Sequence, residues 1–205
     1  MRIVAEDRAD TAVDGDATVS NDRGPTTIDS IRGPIVVRVP EGTDLVIGTT
    51  AARVDVEGRV GNVAVVTESG RVVVEHAESL DARTNSGRVL VDRVVNDCCV
   101  RTTSARVEVG GCGDADVATD SGRVVLKGVN GSVRAHCVSG RIDVEMDSAH
   151  DIDAETVSGR VNVSLPRGAR AHQPTDPTDT APVPDGCDCT VNARSVSGRV
   201  DVSSR

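Results

Sequence analysis

The sequence of 205 residues contains no phenylalanine, tryptophan or tyrosine. Without aromatic rings any core must be aliphatic, and the stacking platforms on which single-stranded nucleic acids usually lie are missing. The same lack argues against a carbohydrate groove. Lysine is nearly absent as well: of 23 basic residues only Lys127 is a lysine. Acidic residues number 32, and the net charge of −9 opposes non-specific attraction to nucleic acid or to an anionic membrane. No apolar run approaches the ~18 residues that a membrane span needs. The first residues, Met1-Arg2-Ile3-Val4-Ala5-Glu6-Asp7-Arg8, also lack the apolar stretch of an export signal. We therefore expect a cytoplasmic protein whose six cysteines (98, 99, 112, 137, 187 and 189) are reduced thiols.

What the chain does have is one phrase, Ser-Gly-Arg-Val-x-Val, repeated along most of its length. It stands as Ser69-Gly70-Arg71-Val72-Val73-Val74 and returns as Ser139-Gly140-Arg141-Ile142-Asp143-Val144 and Ser197-Gly198-Arg199-Val200-Asp201-Val202. Its arginines are Arg53, Arg71, Arg88, Arg106, Arg123, Arg141, Arg160 and Arg199, spaced by 17 to 19 residues except for a final gap of 39. A short fixed period of this kind is the mark of a solenoid. The expected fold is all-β: a single-domain β-solenoid (β-helix) of about eight coils, each 17–19 residues long.

Alignment on the arginine shows two short strands per coil. Apolar or small residues fall eight, six and four positions before it (Val63, Val65, Thr67; Leu80, Ala82, Thr84) and one and three positions after it. Steps of two are the alternation of strands with one buried face. The Ser-Gly step is then a bend. Because Ala52 and Ala105 replace its glycine in two coils, close approach between coils explains the glycine better than a demand for positive φ. The Thr/Ser column before the bend is expected to pass hydroxyl hydrogen bonds from coil to coil.

Four segments follow from this pattern. Residues 1–34 read as an N-terminal β cap and 35–166 as solenoid repeats, opening on Ile35, Val37 and Val39. Residues 167–189 read as a surface loop rich in Pro, Asp and Thr, and 190–205 as a final coil with no cap beyond it.

The serial Thr-x-Ser-Gly-x-Val-x-Val phrases, the lead-in Val37-Arg38-Val39-Pro40-Glu41-Gly42 and the closing Ser195 to Val202 resemble a large bacterial family of β-strand repeat proteins. That family carries an adhesin label and is a domain of unknown function. The resemblance is good over residues 35–205 and loose over the cap. It implies a β-solenoid and supplies no catalytic residues.

Candidate chemistry is sparse. The eight arginines each precede an inward Val or Ile, so they are expected to point outward as a ladder able to dock an anionic ligand or acidic partner. The competing reading is a solvated face laced with acids: Asp55, Glu108, Asp143 and Asp201 follow by two residues, and Glu68 and Asp120 precede by three. Cys187-x-Cys189 and Cys98-Cys99 do not have zinc spacing. Cys98 and Cys137 fall on inward positions, whereas Cys187 and Cys189 border the loop, where redox sensitivity is conceivable. Gly110-Gly111-Cys112-Gly113-Asp114-Ala115-Asp116 misses the calcium-binding nonapeptide at Ala115 and occurs once. His76, His136, His150 and His172 form no constellation.

The sequence thus points to a non-catalytic structural or interaction scaffold, with no cofactor and no metal. Its partner is a protein, or a second copy meeting it through the coil ends as a homo-oligomer; nucleic acid and a membrane span are not expected. The alternative is an anion-binding module using the arginine ladder. A carbohydrate-active enzyme ranks last.

Overall fold

In this computed structural model residues 2–6, 12–14, 18–20, 25–30, 36–172 and 188–204 are described. Ile35, Cys187 and most of the Pro/Asp/Thr-rich segment therefore lie outside the described residues. The described chain is all strand and turn. It begins with β1 (Arg2–Glu6), β2 (Ala12–Asp14), β3 (Thr18–Ser20), β4 (Thr26–Ser30), β5 (Val36–Pro40) and β6 (Leu45–Thr49). The long runs follow: β7 (Val54–Val94), β8 (Cys98–Val109), β9 (Ala115–Val129), β10 (Val133–Met146) and β11 (Ile152–Leu165). It closes with β12 (Ala171–His172) and β13 (Cys189–Ser204).

A continuous run such as β7 turns corners without leaving the ladder. From β6 onward each coil lies parallel on the next, in the register that the repeat dictates. Leu80, Cys98, Ala115, Val133, Ile152 and Val191 form one stacked column. Arg88, Arg106, Arg123, Arg141, Arg160 and Arg199 form another. The 39-residue gap leaves no break in the stack, because β11 pairs directly with β13 from Ile152–Val191 to Leu165–Ser204. The result is a β-solenoid of about eight turns.

The start of the chain is woven into the same stack. β1 lies parallel between β5 and the first residues of β7, with Ile3 opposite both Val37 and Val56. Arg2 donates two hydrogen bonds of 2.6 Å to the Glu57 carboxylate, tying β1 to β7. β4 lies parallel on β6. At the outer ends β2 pairs antiparallel with β5, and β3 pairs antiparallel with β4.

The core is a set of vertical columns. Val54, Val72, Val89, Val107, Val124, Ile142 and Val161 are all buried, as are Val56, Val74, Val91, Val109, Leu126, Val144 and Val163. Each such side chain contributes about 1.5–3 kcal/mol by leaving water. A third column was not legible from the repeat: Val60, Ala77, Val94, Cys112, Val129, Met146 and Leu165, all buried. It lies five to seven residues after the arginine, where the corner absorbs the variation in period; the register slips there between Val144 and Met146.

The bend confirms close approach between coils. A Cβ at Gly140 would overlap the Gly122 carbonyl oxygen and lie 3.0 Å from its carbonyl carbon. The hydroxyl expectation needs correction. Thr67, Thr84 and Thr119 donate to the carbonyls of Ser69, Ser86 and Ser121 in their own coil, bracing the bend. In this column Ser195 reaches across coils instead, donating to the Gly159 carbonyl at 3.4 Å. The reason is reach: the bend folds the carbonyl two residues on back over the threonine.

Candidate interaction surfaces

The arginine ladder stands where its sequence position requires, outward and one residue before a buried column. Half of it is engaged. Arg53 pairs with Asp55 at 2.8 Å, Arg106 with Glu108, and Arg199 loosely with Asp201 at 3.9 Å. Asp143 pairs at 3.3 Å with Arg123 of the preceding coil rather than with its own Arg141. Among the described residues Arg71, Arg88, Arg141 and Arg160 have no carboxylate partner, and Glu68 and Asp120 form no ion pair. The ladder is therefore a mixed face. Beside it runs an open groove of about 1010 Å³, lined by Val73, Leu90 and Val125, by the basic Arg106, Arg123 and Lys127, and by the acidic Glu75, Asp92, Glu108, Asp143 and Glu145.

A second column escaped the sequence reading. Nine residues before the arginine stand Asp44, Asp97, Asp114 and Asp151. The Asp44 carboxylate accepts the Asn62 N–H at 2.7 Å, Asp114 accepts that of Ser132 at 2.6 Å, and Asp151 accepts that of Thr190 at 2.8 Å. These aspartates hold the corner of the next coil. Their spacing is the sequence signal, masked by Asn62, Ser79 and Ser132, which interrupt it.

The two ends of the stack differ. At the start, each arm finishes on a three-residue antiparallel strand, β2 or β3. At the other end, the outer edge of β13 is paired by β12 only at Cys189 and Thr190. No other described strand covers it. Val196, in the outward column, is 84% exposed, and Val200 is 37% exposed although its counterparts Val161 and Ile142 in inner coils are fully buried.

Comparison with protein families gives a match to Toastrack DUF4097 over residues 10–174. The chain belongs to the Toastrack family. The resemblance drawn from the repeat phrases thus holds at the level of a domain-of-unknown-function family with a β-helix-like fold. The matched span ends before β13, so the open coil of this Toastrack chain lies beyond it. Neither curated proteins nor solved structures give a match.

Four of the five described thiols of the Toastrack chain are core residues. Cys98, Cys112, Cys137 and Cys189 are buried, and Cys99 is half-buried. Burial of Cys189 removes the exposure that redox sensitivity needs; Cys187 lies outside the described residues. Among those residues no group of three or more His, Cys, Asp or Glu is placed to hold a metal ion. The histidines stay scattered, His136 standing 3.9 Å from Glu155.

Burial pushes the Cys98 thiol far up, and lifts Cys112 to about 11. Burial also raises Cys99 and Cys137. The folded chain holds these protons where the unfolded chain releases them, so stability is full below the ordinary thiol range and falls above it. We expect the urea midpoint to decline between about pH 8.5 and pH 11. With no tyrosine and one lysine, few other side chains titrate there. A flat profile would show that the thiols are not buried in solution.

Proposed function

We propose that this Toastrack chain is a non-catalytic interaction scaffold of the cytoplasm, a rod that engages a partner strand through its last coil. The observation that carries this reading is the unequal finish of the two ends. Exposed strand edges are templates for pairing, and proteins that do not use them normally cover them. The outer edge of β13 is unpaired along 191–204 among the described residues, with Val196 and Val200 exposed beside it. Four buried thiols suit a reducing compartment.

The test is solution mass and shape by light scattering and small-angle X-ray scattering over a range of concentration. Refractive-index detection is required, since the chain has no Trp or Tyr to absorb at 280 nm. A mass that rises with concentration, with lengthening along the rod, is the expected result. A single-chain mass throughout would sink self-association through the end.

One observation favours a second reading. Arg71, Arg88, Arg141 and Arg160 project without a carboxylate partner among the described residues, which leaves guanidinium groups for an anionic ligand or acidic partner. Binding by that route would weaken steeply with salt, whereas strand pairing would not.

A further inference from the structure

The open edge of β13 is matched to itself. By register with buried residues of β11, the inward positions of β13 are Val191, Ala193 and Ser195 before the bend, and Val200, Val202 and Ser204 after it. These six positions are symmetric about the Ser197–Gly198 bond. Resting on the open-end reading above, we propose that the partner is a second copy of this chain, paired antiparallel through β13 about a two-fold axis at that bend.

The consequences for side chains follow from position alone. Rotation about the axis sets Ser195 opposite Val200 of the second copy, Ala193 opposite Val202, and Val191 opposite Ser204. Inward residues meet inward residues, so the apolar interior runs on through the junction and the exposed edge of Val200 is covered. A shift of one residue would turn one copy's apolar positions outward. The paired span, 191–204, is also the span that β12 leaves open.

Outward positions supply the charge match. Arg194 falls opposite Asp201 of the second copy, and the symmetry makes this pair twice. Within one chain neither group has a close ionic partner: Arg194 donates to the Asn192 Oδ1 at 2.7 Å and lies 3.9 Å from Glu155, and Asp201, 57% exposed, lies 3.9 Å from Arg199. Opposite charges directly across antiparallel strands are stabilising, and like charges there are destabilising. A head-to-tail stack is less well served, because the other end offers strands of only three residues. A two-fold contact is also closed, which gives a dimer rather than a filament.

The test uses Arg194→Glu and Asp201→Arg on the full chain, with mass measured by sedimentation equilibrium. The wild type is expected to dimerise. Each variant alone places like charges opposite one another at both sites, and its dimerisation should weaken by more than about tenfold. An equimolar mixture of the two variants restores opposite charges at both sites, so the mixed dimer should recover wild-type affinity. A second design serves if either variant folds poorly: Asn192→Glu with Ser203→Arg in one chain adds two facing pairs and should tighten the dimer several-fold.

A wild-type dimer indifferent to every substitution would overturn the proposed register and leave the open end in use. So would open-ended filaments, or a mixture no tighter than its components. A wild type that stays monomeric would overturn self-pairing through the open end altogether.

Discussion

Replacing Gly140 by valine is expected to destabilise the solenoid by more than about 3 kcal/mol, seen as a large fall in the denaturant midpoint. Two costs coincide at this position. The backbone holds φ at 154°, where a β-branched side chain is strained, and the space for a Cβ is taken by the Gly122 carbonyl. Nothing flexible stands in the way that could swing aside. Relief requires the coils to part, and separation breaks the parallel hydrogen bonds between β9 and β10 over the bend. The control is Ala105→Val in the same column. That site already accepts a Cβ while buried, so the further methyls are a matter of overpacking, about 1–3 kcal/mol. Equal midpoints for the two variants would refute close approach as the reason for glycine.

The second large effect belongs to the inward columns. Ile142→Ala should cost about 2–5 kcal/mol, whereas Val157→Ala should be close to neutral. Ile142 is fully buried between Val124 and Val161 in adjacent coils, which are held at fixed spacing by backbone hydrogen bonds and cannot collapse to fill a void. Val157 belongs to the outward column and is 44% exposed. Denaturant unfolding of both variants checks the contrast. A similar loss for each would mean that inward and outward faces had been confused.

The repeat made most of the fold legible because a period-two alternation leaves little freedom. Once Arg141 is placed, Ile142 and Val144 must point inward, and equal phrases must stack. Corners were less legible. The Val60-to-Leu165 column drifts by up to two residues against the arginines, so no fixed offset reveals it. Stacking alone suggests threonine hydroxyl bonds between coils, but the bend offers a nearer acceptor at the carbonyls of Ser69, Ser86 and Ser121. The arginine ladder was readable as a position. Its engagement was not, since whether Asp143 turns to Arg141 or to Arg123 depends on side-chain reach between coils. The opening strands were hidden for another reason. β1 enters the stack next to β7, more than 50 residues away in sequence, and no local pattern announces so distant a neighbour.

Parallel coils joined only to their neighbours also behave as a mechanical series. A pull along the axis loads every layer equally, and the layer with least support gives first. Inner coils are gripped from both sides, while among the described strands β13 is gripped along 191–204 by β11 alone. Under tension the rod would therefore peel inward from its last coil, one layer at a time. A sideways pull would have to shear many rows of hydrogen bonds together.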